Sequence, residues 1–119
     1  MSAPGSLVST HVLDTARGGP AAGLLVRLER VTGRSASPFA EQVASGRTGP
    51  DGRVSDLGPE QLPAGAYRLV FDTGGYLAGQ GEPAFFPEVT VTFTVDGRQP
   101  HYHVPLLLSP FGYSTYRGS

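Results

Sequence analysis

From residue 88 to residue 95 the chain reads Glu-Val-Thr-Val-Thr-Phe-Thr-Val, apolar and hydroxyl side chains alternating with period two. Successive side chains of an extended strand point to opposite faces of the sheet. Val89, Val91, Phe93 and Val95 therefore share one face, and Thr90, Thr92 and Thr94 the other. A helix would scatter both sets around its circumference, so this segment is a strand with one buried face. Two more segments carry the pattern. Leu24, Val26 and Leu28 lie opposite Arg27 and Glu29 within 24–31, and Tyr67, Leu69 and Phe71 share a face within 66–72. Segments 7–14, 39–45, 53–57, 101–108 and 112–116 complete about eight short strands, the content of an all-β sandwich.

Turn residues punctuate these strands. Thr48-Gly-Pro50-Asp51-Gly52 is a turn in which proline presets φ and glycine accepts a positive φ, and it is expected to deliver Arg53 directly onto a new strand. Asp96-Gly97 predicts an antiparallel hairpin that makes the 88–95 and 101–108 strands neighbours. Residues 73–79 predict the one short helix, with Thr73 as N-cap and Gly79 as its stop, although Gly74 and Gly75 weaken it. There is no internal repeat or linker. The 119 residues are read as a flexible N-terminus, 1–6, and a single domain, 7–119, long enough to bury a core without staples.

Composition removes several function classes. The chain has no cysteine, which excludes disulfides, thiolate nucleophiles and cysteine-based zinc sites and suits a reducing compartment. The nine basic residues are scattered arginines and the formal net charge is −1, so nothing resembles the basic patch that grips phosphate backbones. A nucleic-acid partner is not expected. The first residues lack a basic leader and an apolar stretch of signal-peptide length, and no segment has membrane-spanning length. The Arg117-Gly118-Ser119 ending does not match the Ser-Lys-Leu peroxisomal address. The expectation is a cytoplasmic protein without a membrane partner.

The chemistry concentrates in three histidines. His101 and His103 stand two apart on one strand, which puts both imidazoles on the same face. On the first strand His11 shares a face with Ser9 and Leu13, opposite Val8, Thr10 and Val12. Any one of them alone is more often an ordinary surface or half-buried residue than part of a site. Together they enrich one face in bases that titrate near neutral pH. Three histidines can also hold zinc and leave a fourth position for water; His-x-His pairs are common, and the sequence does not say whether His11 completes a tetrahedron. No glycine cluster has the spacing of a phosphate or dinucleotide loop, and no Gly-x-Ser-x-Gly elbow marks Ser109, Ser114 or Ser119 as a nucleophile. No cofactor is expected.

The chain closes on an apolar strand followed by Tyr116-Arg117-Gly118-Ser119. Termini fray unless something ties them down, so polar side chains placed here suggest a held segment. The run from Tyr102 to Ser119 closely resembles the C-terminal signature of the transthyretin-related 5-hydroxyisourate hydrolases. Ser9-Thr-His11-Val-Leu-Asp14-Thr-Ala-Arg-Gly-Gly-Pro20-Ala21 is similar to their N-terminal signature, and residues 48–53 to their middle turn. The resemblance spans nearly the whole chain. It implies a transthyretin-like (prealbumin-like) sandwich with one short helix. It also implies a homotetramer with sites at the inter-subunit interface, and a cofactor-free, metal-free opening of the lactam ring of 5-hydroxyisourate in urate degradation.

By the same resemblance the catalytic residues are His11, Arg53, His103 and Ser119, and the substrate is bound by Arg53, Tyr116, Arg117 and Gly118. His101 is not among them and remains a neighbour. Hormone-carrying transthyretins share the fold, but carry Lys, Glu and Thr at the three internal positions and lack this ending. The residue chemistry agrees with the enzyme. Lactam hydrolysis needs a base for water, donors for the oxyanion and an acid for the leaving nitrogen. Arg53 stays protonated, offers a fork of donors, and as a fixed cation lowers the pKa of a nearby histidine. Gly118 is read as the point where the backbone bends to present Ser119. The last strand has no lysine to guard its edge, which leaves it open to pairing with a second copy. The alternatives are a non-catalytic transthyretin-like binder of a small aromatic ligand and an adhesion or carbohydrate-binding sandwich. The latter explains the strands but not His11, Arg53 and His103 together.

Overall fold

The computed structural model describes residues 5–32, 39–54 and 56–118. In chain order they form β1 (Val8–Ser9), β2 (Val12–Asp14), β3 (Gly19–Pro20), β4 (Leu25–Thr32), β5 (Phe39–Arg47), β6 (Gly65–Phe71), α1 (Thr73–Gly79), β7 (Val89–Val95), β8 (Tyr102–His103), β9 (Leu106–Ser109) and β10 (Gly112–Thr115). One sheet runs β5-β4-β6-β7, all antiparallel. The other runs β10-β9-β2-β3, and beside it β1 pairs with β8. The alternating segments behave as their patterns require. Leu24, Val26, Leu28, Tyr67, Leu69 and Phe71 are fully buried, and they pack with Val8, Val12, Leu106 and Leu108 of the other layer in one core. Along β7 the threonines are exposed while Val89 and Val95 are buried.

The pairing of β1 and β2 with β8 and β9 is a single parallel ladder. Val8 lies opposite Tyr102, Ser9 opposite His103, Val12 opposite Leu106 and Leu13 opposite Leu107, with no change of register. Backbone bonds from Val104 N to Ser9 O and from Leu106 N to His11 O carry the ladder through the break. Pro105 has no N–H to donate, and the break falls there. Even periodicity across it puts Val8, Thr10 and Val12 inside and Ser9, His11 and Leu13 outside, as the alternation predicts.

Three local expectations are corrected. Asp96-Gly97 does not make a hairpin: β7 is the edge of one sheet and β8 pairs with β1 in the other layer, parallel. The turn hands the chain across the core instead, and the Tyr102 hydroxyl ties the crossing by donating to Asp96 Oδ1 at 2.7 Å. Residues 53–57 do not form a strand. Arg53 makes one isolated antiparallel bridge to His11, its carbonyl accepts from Gly49 N within the turn, and Leu57 N is satisfied by the Ser6 hydroxyl; Ser55 lies outside the described residues. The helix cap is Asp72, whose carboxylate accepts from Gly75 N; Thr73 is the first helical residue, and its hydroxyl donates to the carbonyl of Phe86. At the N-terminus, residues 1–4 of the segment read as flexible lie outside the described residues, whereas Ser6 is buried and bonded to Val8 O.

Candidate active site

The outer face of the parallel ladder gathers the polar residues. The turn at 49–52 closes with a bond from Gly52 N to Gly49 O, and Gly52 takes φ +80°. It is also packed so closely that a Cβ there would fall 2.5 Å from Val12 O and 3.2 Å from His11 Cδ2. The turn thereby presses its backbone on the first strand: Val12 N bonds to Gly52 O, and Arg53 bridges to His11. His11 Nε2 lies 2.8 Å from Asp51 O. A carbonyl only accepts, so Nε2 is the protonated nitrogen of His11 and Nδ1 is the one left free.

His103 sits between two strands. On one side Ser9 is its ladder partner, with Ser9 Oγ 2.8 Å from His103 Nδ1. On the other side Gly118 makes an isolated antiparallel bridge to His103, its N–H donating to His103 O at 2.8 Å. A Cβ on Gly118 would lie 2.5 Å from His103 Cδ2 and 3.1 Å from Cγ, so the imidazole lies directly over this glycine. Gly118 is not in the left-handed region. Space for the ring, not a backbone bend, requires glycine here. Cδ2 of the ring faces the tail while Nδ1 faces Ser9.

The electrostatics of this cluster favour a neutral His103. Burial lowers its pKa first, and the positive charges of Arg53, His101 and His11 push in the same direction; a hydrogen bond to the Ser9 backbone opposes them. The guanidinium of Arg53 has no carboxylate within ion-pair reach among the described residues, where the ion pairs are Arg27 and Arg68 with Glu29, and Arg27 with Glu88. Arg53 is exposed and available to an anion. Among the described residues no three of His, Cys, Asp and Glu converge as a metal-holding group, which removes the geometric basis of a three-histidine zinc site.

The sequence-derived candidates are thus brought together unevenly. His11 and Arg53 are bridged, Arg53 and His11 act on His103, and Gly118 touches His103. Tyr116 and Arg117 line a cavity of about 310 Å³ with Val91, Phe93 and Tyr102, which reaches His103 but neither His11 nor Arg53. Ser119 lies outside the described residues. Sequence reasoning passed over Ser9, which bonds both His101 and His103. Its position two residues before His11, on the same face, was the available signal.

The arrangement has known counterparts. Residues 8–118 match the family model described as the HIUase/Transthyretin family. The 5-hydroxyisourate hydrolase of Mesorhizobium japonicum is 50% identical over 98% of this chain and 95% of its own length. The solved Klebsiella pneumoniae 5-hydroxyisourate hydrolase aligns with TM-score 0.80 and 37% identity, covering 96% of this chain and 99% of that one. A sea bream transthyretin in complex with thyroxine aligns with TM-score 0.85 and 34% identity, covering 94% of each chain. The fold is therefore shared between a 5-hydroxyisourate hydrolase and a thyroxine-bound transthyretin.

Proposed function

This chain belongs to the HIUase/transthyretin family, and from that premise we infer that it is a 5-hydroxyisourate hydrolase acting in urate degradation. It opens the lactam ring of 5-hydroxyisourate to 2-oxo-4-hydroxy-4-carboxy-5-ureidoimidazoline. The observation that carries this reading is His103, a histidine kept neutral by burial and by Arg53, locked between Ser9 and Gly118 beside an arginine that has no ion-pair partner among the described residues. A thyroxine carrier has no use for a base poised this way; a hydrolase does.

In this mechanism His103 takes the proton of the attacking water and returns it to the leaving nitrogen. Nδ1 of His11, left free by the bond from Nε2 to Asp51 O, accepts from the same water and orients it. Arg53 binds the carbonyl-rich substrate through its fork of donors and stabilises the oxyanion of the tetrahedral intermediate. Gly118 admits the His103 ring, Tyr116 and Arg117 hold the substrate at the tail, and Ser119 completes the catalytic set. No cofactor takes part.

The proposal extends to assembly and location. Residues 7–119 form one domain, four copies form a homotetramer, and each site lies at an inter-subunit interface. The support is that the His11–Arg53–His103 face is an outer sheet face and the cavity that reaches His103 includes neither His11 nor Arg53, so a second copy would supply the missing wall. β10 is an open sheet edge without lysine to discourage pairing. The cytoplasm is the proposed compartment, supported by the absence of cysteine; no helix among the described residues is long and apolar enough to cross a membrane.

The test is direct. Purified protein mixed with freshly generated 5-hydroxyisourate should accelerate the decay of its ultraviolet absorbance, and His103→Asn should abolish the acceleration. Decay at the spontaneous rate with wild-type protein would end the enzyme reading in favour of a small-ligand binder.

A further inference from the structure

One hydroxyl joins two imidazoles on the outer face: Ser9 Oγ lies 2.7 Å from His101 Nε2 and 2.8 Å from His103 Nδ1. We propose that His101 is a positioning residue that acts through Ser9 to fix the tautomer of His103, and thereby makes His103 Nε2 the basic nitrogen. The inference rests on the hydrolase reading for its kinetic consequence, but its structural content stands apart from it.

A serine hydroxyl carries one proton and accepts through its lone pairs. Between two ring nitrogens it can donate to only one, so it must accept from the other. The tautomers of His101 and His103 are therefore linked. When His101 Nε2 is unprotonated it takes the Ser9 proton; Ser9 Oγ then accepts from His103 Nδ1–H, and His103 Nε2 is left bare. When Ser9 donates the other way, His103 carries its proton on Nε2 and cannot act as a base there. A neutral histidine free in water favours the proton on Nε2, so the useful tautomer of His103 has to be imposed by its surroundings.

The geometry favours that imposition. His103 Nδ1 faces Ser9, while its Cδ2 edge faces Gly118, so Nε2 is the nitrogen on the side of the tail. Arg53, His11 and His101 are the charged or titratable groups acting on His103. Neither Arg53 nor His11 competes with Ser9 for the Nδ1 proton: Arg53 only donates, and the side-chain partner of His103 Nδ1 among the described residues is Ser9, not His11. The hydrogen bond between His103 and the Ser9 backbone raises the His103 pKa, so the ring is its donor; that favours the proton on the nitrogen facing Ser9, and the exposed His101 ring takes the matching tautomer, with Nε2 accepting from the Ser9 hydroxyl. When His103 becomes an imidazolium during the reaction, its Nδ1–H bond to Ser9 strengthens as a charge-assisted bond. Nothing need leave the cluster: the proton taken at Nε2 is the one returned to the leaving nitrogen.

The experiment is nitrogen NMR of the full chain with labelled histidine, assigned by comparison with His103→Asn, together with steady-state kinetics on 5-hydroxyisourate. Wild-type His103 should show a protonated Nδ1 and a bare Nε2 above its titration. Ser9→Ala and His101→Ala should each shift the signature toward the Nε2–H tautomer. Each should also lower kcat by about tenfold with KM little changed, the pattern of an interaction made in the transition state. The double variant should be no worse than the more affected single one, because the two residues act through one chain of bonds. Circular dichroism verifies that each variant is folded. A His103 already in the Nε2–H form in wild type, or one whose tautomer ignores His101→Ala, overturns the proposal even if the protein is a hydrolase. If the tautomer behaves as stated but wild type gives no turnover, the lock stands and the hydrolase reading falls.

Discussion

The Gly118 backbone runs directly beneath the His103 imidazole, leaving no room for even a methyl group between them. A Cβ at 118 would lie 2.5 Å from Cδ2 of that ring and 3.3 Å from its Cβ. Gly118→Ala must therefore displace either the ring or the tail. Among the described residues the tail is held here by one backbone bond, from Gly118 N to His103 O, so it should yield at a cost to stability of about 1 kcal/mol. Displacement of the ring's support by about 1 Å should reduce kcat/KM by about a hundredfold. Urea unfolding together with the ultraviolet decay assay checks both; an alanine variant at the wild-type rate would show that the contact has no part in turnover.

Deletion of residues 116–119 should separate folding from activity in the same way. Tyr116 and Arg117 are exposed and the core excludes them, so the unfolding transition should remain cooperative and lose no more than about 1–2 kcal/mol. Most activity should disappear. A truncated protein at full rate would refute a role for the tail.

Arg53 sets the acid side of the pH profile. Burial and the Arg53 charge hold the His103 pKa below its ordinary value, so the base form should persist to more acid pH than a free histidine allows, and kcat/KM should fall only below that range. Arg53→Met should move this limb up toward the unperturbed value of about 6.5. The sign for stability follows from the same shift. Because the folded pKa is depressed, the native state binds fewer protons than the unfolded chain as pH falls through the unfolded and then the folded value. Stability present above the unfolded pKa is lost across that window, and His103→Asn should flatten the loss. Profiles of kcat/KM and of urea midpoints against pH test the two statements independently.

Arg53→Lys keeps a positive charge but not the planar fork. The pH limb should stay near its wild-type position while KM rises and kcat falls, together at least about tenfold in kcat/KM. A lysine variant indistinguishable from wild type would mean that Arg53 acts by charge alone.

Away from the site, the Tyr76 hydroxyl donates to Asp14 Oδ2 at 2.7 Å and joins α1 to the end of β2, with Asp14 almost fully buried. Tyr76→Phe leaves that oxygen without its donor and should destabilise the fold by about 1–3 kcal/mol. Activity at a temperature where the variant is folded should be unchanged, which denaturant titration and the decay assay can show together.

Much of this fold was legible because one face of each long strand is buried. Tyr67, Leu69 and Phe71, or Val8, Thr10 and Val12, announce their orientation by alternation alone. What was not legible is which strands meet. Asp96-Gly97 carries the local signal of a hairpin, yet Tyr102 must enter the core from the opposite layer, and tertiary packing overrides the turn. The 53–57 segment reads as a strand by residue type, but Ser6 and Gly49 take up its backbone groups before a ladder can form. The site showed the same division. His11 and His103 stood out as bases on strand faces and Arg53 as the residue delivered by the turn, but only the family resemblance joined them into one site; Ser9 shares the His11 face, yet a serine there has no distinguishing chemistry until two imidazoles are seen to converge on it. Gly118 was found for the wrong physical reason: its sequence suggests flexibility, and its surroundings demand emptiness.

The tail keeps step with the hairpin before it. Ser109 faces Gly112, Leu106 faces Thr115, and His103 faces Gly118, one unbroken count of residues carried across the gap at Pro105. The position of the last residues is thus metered by the turn at 110–111. One residue added to that turn would carry every later side chain to the opposite face of the sheet. Tyr116 and Arg117 would trade sides, and a side chain or an unpaired backbone would come to rest where the His103 ring needs a glycine. If the proposed site is the catalytic one, the length of a surface turn with no reactive group in it is a catalytic parameter of this chain.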